Sequence, residues 1–125
     1  MRHRRHYTLE EADALRGWVA ERVRAARAAL DLLIAPESRA AMAALDPNAG
    51  GGWPGREVAE ATLRFQRCVA DLHGADIVVR DLARGLVDFP AIREGVEVYL
   101  CWLVDEDEIA FWHDLDAGFA GRRPL

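Results

Sequence analysis

The sequence predicts an α+β fold, a long antiparallel helical hairpin followed by a small antiparallel β-meander. Three observations predict it. Apolar residues recur in steps of three and four through the first third of the chain and again over residues 56–73. After Gly74 the period changes to two, in short segments rich in Val, Ile and aromatic residues. Gly, Pro and acidic turns then divide those segments. At 125 residues the chain forms a single domain, 1–125: a basic arm over 1–7, a helical hairpin over 8–74 with a loop at 46–55, and a β-meander with a C-terminal tail over 75–125.

The arm, Met1-Arg-His-Arg-Arg-His6, is read as a frayed terminus in preference to an anion-binding arm. Thr8-Leu-Glu-Glu11 is a capping box that starts helix one. Leu9, Ala12, Leu15, Val19, Val23, Ala26, Leu30 and Leu33 form its stripe. It should run to about Ile34, where Pro36 stops or kinks it. Glu37 to Leu45 favours helix, and Asp46 to Gly55, with three consecutive glycines, is a loop. Helix two runs from about Arg56 to His73, burying Val58, Ala61, Thr62, Phe65, Cys68, Val69 and Leu72, with Gly74 as a left-handed C-cap.

Four strands are expected: Ile77–Val79, Leu86–Phe89 ended by Pro90, Val96–Val104 and Ile109–Leu115. A tight turn around Glu106-Asp107 pairs Trp102 with Phe111 and Leu100 with His113. One face then carries Val98, Leu100, Trp102, Phe111 and His113 and lies on the helices. The other carries Tyr99, Cys101, Trp112 and Asp114. That second face is too apolar for water, so more of the chain, a second subunit or a ligand covers it.

Composition excludes several function classes. The formal charge of −5 argues against nucleic acid. All 16 basic residues are Arg, which removes lysine Schiff-base and P-loop chemistry. No apolar run approaches the roughly 20 residues that span a bilayer, and no signal-peptide pattern opens the sequence. A cytoplasmic protein with reduced thiols is expected, because Cys68 and Cys101 form neither a CxxC pair nor a zinc-ligand cluster in sequence.

No motif implies a cofactor. The candidate catalytic residues are His113, Asp114 and Asp116. His113 is a buried core imidazole in the plainer account and a base or metal ligand in the sharper one. Glu108 and Asp116 are further candidate metal ligands beside it. Asp88 lies within an apolar strand and needs a cationic partner, for which Arg84 or Arg122 is expected. Arg84, Asp88, Arg122, Tyr99 and Trp112 are candidate ligand-binding residues. Cys101, with no neighbouring base, is not expected to be a reactive thiolate.

Four segments carry a resemblance: Tyr7-Thr-Leu-Glu-Glu-Ala12, Arg84-Gly-Leu-Val-Asp-Phe-Pro90, Val98-Tyr-Leu-Cys-Trp102, and Ile109-Ala-Phe-Trp-His113 through Gly118-Phe-Ala-Gly-Arg122. The chain resembles a family of small bacterial proteins catalogued as domain of unknown function 2203. Where that family carries Leu-Gly-Glu in the hairpin turn, this chain has Val104-Asp105-Glu106. The resemblance implies a shared fold and leaves the activity open.

Helix one would span about 40 Å if straight, which one shorter helix covers only in part. Homodimerisation through the helices is the expected solution. The leading functional expectation is a homodimeric binding or interaction module using the mixed aromatic face. The alternatives are a small enzyme or metal protein centred on His113, and an anion- or metabolite-binding regulatory protein using Arg84 and Arg122.

Overall fold

A computed structural model describes residues 1–35 and 55–125. The expected end of helix one at Pro36, the helix over 37–45 and most of the glycine loop lie outside the described residues. Helix one is present but divided by a single turn at Leu15 into α1 (Leu9–Ala14) and α2 (Arg16–Ile34). The Thr8 capping box forms: the Thr8 hydroxyl accepts from the Glu11 amide, and the Glu11 carboxylate accepts from the Thr8 amide. At Leu15 the amide bonds back to Ala12 at 3.0 Å, a tighter turn that offsets α1 from α2. Leu9, expected in the stripe, is consequently 45% exposed. Of the rest of the stripe, Ala12, Val19, Val23 and Ala26 are buried, and Leu15, Leu30 and Leu33 are half-buried.

Helix α3 (Gly55–Gly74) packs against α2. Its left-handed cap falls two residues later than expected. Gly74 is helical, and Asp76 takes the left-handed conformation (φ 62°). The Ile77 amide bonds to the Leu72 carbonyl at 3.0 Å and the Asp76 amide to that of His73, closing a Schellman motif. Asp is among the few residues other than Gly that visit this conformation, and its carboxylate is also fixed by the distant Arg5 amide at 3.1 Å.

Five strands follow in meander order: β1 (Val78–Asp81), β2 (Leu86–Arg93), β3 (Val96–Leu103), β4 (Phe111–Asp114) and β5 (Arg123–Pro124), all antiparallel. β2 does not stop at Pro90. It continues to Arg93 and turns back through Glu94-Gly95, both at positive φ, the pair a two-residue hairpin turn requires. Pro90 is tolerated because β1 ends its pairing at Asp88, and the Pro90 carbonyl accepts from the Tyr7 amide at 2.7 Å instead.

The β3–β4 pairing differs from expectation by one residue. Tyr99 pairs with His113, Leu100 with Trp112 and Cys101 with Phe111. The cause is the connection. Neither Glu106 nor Asp107 has positive φ, so no two-residue turn forms there. Instead the Glu106 amide bonds to the Leu103 carbonyl (2.8 Å), its side chain accepts from the Leu103 amide (2.9 Å), and its carbonyl accepts from the Trp102 indole (3.0 Å). Val104 and Ile109 leave the ladder and enter the core, each 4% exposed.

A slip of one residue exchanges the faces of β4. The helix-side face carries Val87, Phe89, Ala91, Val98, Leu100 and Trp102, joined by Trp112, and packs on Val19, Val23 and Leu72. Phe111 and His113, expected on that face, lie on the opposite one with Tyr99 and Cys101. Among the described residues no helix is long and apolar enough to cross a membrane.

Candidate functional site: a buried carboxylate, thiol and imidazole

The far face of the sheet places one donor on each of three adjacent strands. Asp88 on β2 is paired directly with Cys101 on β3, and His113 on β4 lies one pair along, opposite Tyr99. Asp88, Cys101 and His113 are 0%, 1% and 1% exposed. A carboxylate oxygen, the thiol sulfur and a ring nitrogen all fall within 4.8 Å of one another.

Asp88 is partnered by Arg80, not by Arg84 or Arg122 as expected. Arg80 Nε donates to Asp88 Oδ2 at 2.7 Å, while His113 Nε2 lies 3.0 Å from both carboxylate oxygens. Arg80 is two residues from Val78, the partner of Asp88, so strand alternation puts it on this face. Arg84 instead stacks on Phe119 at 4.7 Å and gives its amide to Asp81. Arg122 is ion-paired with Glu106 at 2.6 Å, lies over Phe111 at 3.8 Å, and reaches within 4.0 Å of Cys101 Sγ.

The other His113 nitrogen decides the chemistry of the ring. Nδ1 is 2.7 Å from the Asp114 carbonyl oxygen, which can only accept, so Nδ1 carries a proton. In the singly protonated ring Nε2 then presents a lone pair to a carboxylate at 3.0 Å. Two lone pairs do not meet at that distance without a proton or a metal ion between them.

Cys101 is held as a thiol. Burial pushes it up first, the neighbouring Asp88 charge adds to this, and the Arg122 guanidinium offsets only part, leaving it at about 12. The sequence expectation of an unreactive thiol agrees with this. Its place beside Asp88 and His113 was not foreseen, since the three are 12 and 13 residues apart and meet only through strand register.

Several expected site residues lie elsewhere. Trp112 is on the helix side, stacked by Arg93 (4.7 Å) and Arg123 (5.1 Å). The Asp114 carboxylate is exposed and 3.6 Å from Arg123. Asp116 is exposed and pairs with Arg2 at 3.2 Å. Glu108 is exposed beside Leu9 and Asp13. None of Glu108, Asp114 or Asp116 brings its side chain to His113.

The arm is not frayed. Tyr7 is 4% exposed, edge-on to Phe89, with its hydroxyl donating to the Ala75 carbonyl at 2.5 Å. The Arg2 and His3 amides donate to Glu97 at 2.7 and 3.0 Å, and His6 Nε2 meets the same carboxylate at 2.6 Å. Burial alone would raise Glu97, but the His6 ring and the His3 and Arg2 amides overcome it and hold the carboxyl down to about 2.

A family model described as an uncharacterized conserved protein, domain of unknown function 2203, matches residues 5–125. The chain belongs to this family. All three donors and the Tyr7, Asp76 and Glu97 anchors fall inside the matched span. No curated protein and no solved structure matches the chain.

Proposed function

We propose that this is a small transition-metal-binding protein of the zinc class, with Asp88, Cys101 and His113 as its ligands. The observation that carries it is the convergence of three different donor types, each almost wholly buried, from three adjacent strands. Thiolate, imidazole and carboxylate together suit zinc more than magnesium or calcium, which take oxygen donors.

Outer contacts support the reading. A metal-bound histidine commonly donates its second N–H to a backbone carbonyl, as His113 Nδ1 does to Asp114. Arg80 holds Asp88 Oδ2, and an ion would replace the direct contact of His113 Nε2 with Oδ1. Tetrahedral zinc ligands lie roughly 3–4 Å apart; His113 Nε2 and Asp88 are already 3.0 Å apart, and all three donors fall within 4.8 Å. Burial of the donors favours a structural or sensing role over catalysis on a large substrate.

The mixed aromatic face does not support docking of a partner. Arg80 covers Tyr99, and Arg122 covers Phe111 within the same chain. The anion-binding alternative is weakened because Arg122 is already neutralised by Glu106. We further infer a bacterial, cytoplasmic homodimer. The two unbridged cysteines and the exposed apolar side chains of Ile34 and Leu63 on the helices support that reading.

The test is elemental analysis of untagged protein, followed by cobalt titration of the stripped form. One equivalent of metal and a thiolate-to-cobalt charge-transfer band are expected, both lost in Cys101→Ser and His113→Ala. Since Cys101 must shed its proton to ligate, metal affinity rises with pH. Metal-free protein with no cobalt spectrum would leave a proton shared between His113 and Asp88, and the metal assignment would fail.

A further inference from the structure

The donors of the proposed centre have no direct opening, so what covers them decides how anything reaches them. Two groups of side chains do. On one side Arg122 is fixed by Glu106 and stacked on Phe111 and Phe119. On the other side stands Tyr99, 1% exposed, whose ring lies 5.5 Å from that of His113. The outer surface of Tyr99 is met by the arm. His3 packs edge-on against the ring at 5.3 Å, and its Nε2 is 2.5 Å from the Tyr99 hydroxyl. Arg80 lies over the same ring at 4.8 Å while holding Asp88.

The arm is attached differently from the rest of the cover. Residues 2–6 belong to no helix or strand. Upstream of Tyr7 they are held largely through three carboxylates, of which Asp116, paired with Arg2 at 3.2 Å, is the most exposed. Glu97 takes the Arg2 and His3 amides and the His6 ring; Asp76 takes the Arg5 amide and stands 3.5 Å from His3 Nδ1. A hollow of about 340 Å³, lined in part by His3, Leu72, Asp76 and Ile77, borders His3 and leaves room for its ring to move. Tyr7, buried and bonded to Pro90 and Ala75, is the fixed end.

We propose that residues 2–6 form a strap, hinged at Tyr7 and latched by Glu97, that gates access to the Asp88–Cys101–His113 centre through His3 and Tyr99. Released from Glu97, the strap lifts His3 from Tyr99, and Tyr99 can then turn away from His113. The other anchors of the sheet are untouched, because β2, β3 and β4 remain bonded to one another. The gating of metal rests on the metal assignment above; the gating of the Cys101 thiol does not.

The experiment compares wild type, Glu97→Ala and Arg122→Ala in the full chain. Alkylation of Cys101, followed by peptide mass mapping in metal-free protein, reads access to the centre. Zinc transfer to a chromogenic chelator reads metal release. Glu97→Ala is expected to speed both by about tenfold or more while zinc stoichiometry stays at one, since local opening replaces a slower route. Hydrogen exchange of β3 amides is measured on the same samples and is expected to stay unchanged. Unchanged alkylation in Glu97→Ala overturns the strap as a gate. So does acceleration in Arg122→Ala alone, or a matching rise in β3 exchange, which would make the arm a brace for the whole sheet. Absence of zinc from every variant defeats the metal assignment, and the alkylation rates still decide the strap.

Discussion

A carboxylate with no exposed surface, such as that of Asp88, is stable as an ion only with partners on every side. Arg80 and His113 supply them, and no buried side-chain polar atom is left without a hydrogen bond among the described residues. The two partners are not equal. His113 is 1% exposed, whereas the Arg80 side chain is 38% exposed and can turn to water if its partner is lost. Asp88→Ala is therefore expected to cost about 3–5 kcal/mol, because it strands a buried imidazole against an apolar surface. Arg80→Met should cost about 1 kcal/mol, since water can partly replace the guanidinium. Urea denaturation of the two variants measures both. The reverse order would show that Arg80, and not His113, sets the charge of the pair. Cys101 belongs to the same argument: a thiol at about 12 is neutral at pH 7 and inert to alkylation until the centre opens.

Between residues and whole molecule, the turns decide what the strands can do. The helices, the change of period after Gly74 and the near face of β3 were legible because each is written in local side-chain periodicity. The Thr8 capping box was legible for the same reason. What was not legible is the pairing of β3 with β4, since it depends on a loop whose shape comes from Glu106 bonding to Leu103, Trp102 and Arg122. That one-residue difference brings His113 to Asp88 and Cys101 and takes Trp112 away, so the site was missed through its turn and not through its residues. Arg80 was missed because the expected strand ends at Val79, whereas β1 runs on to Asp81 and its alternation puts Arg80 on the Asp88 face. The β1–β2 turn is as demanding. Gly85 sits at φ +71°, its carbonyl accepts from the Val104 amide at 2.9 Å, and a Cβ there would lie 2.5 Å from a Val104 methyl carbon. Gly85→Ala combines left-handed strain with overpacking against a core valine and should cost about 2–4 kcal/mol. An unchanged urea midpoint would mean that the turn relaxes without loss of the Gly85–Val104 bond.

At the scale of the whole molecule, the first seven residues and the last forty are joined by carboxylates, which makes the assembly sensitive to acid. Glu97 is held at about 2 in the folded chain against an ordinary value of 4.5, and Asp76 is also held low. For Asp76 burial again pushes upward, and the Arg5 amide and His3 ring outweigh it. Groups whose folded value is depressed bind fewer protons in the folded state than in the unfolded chain. Their stabilisation is therefore complete above about 4.5 and is lost as pH falls through that value toward about 2. Glu97→Gln keeps the shape of the side chain and removes its charge. It should be less stable than wild type near neutral pH, and the gap should close as pH falls through the window between 4.5 and 2, where wild-type Glu97 itself becomes neutral. Urea midpoints across that range measure the gap. A constant difference at every pH would assign the cost to lost packing instead of charge. A difference that widens on acidification would contradict the depressed carboxyl outright. Because Glu97 also holds the strap, hydrogen exchange of the Arg2 and His3 amides in the wild type should rise through the same acid window after correction for their intrinsic rates. The arm and its latch would then respond as one unit while the β2–β3 ladder beneath them stays formed.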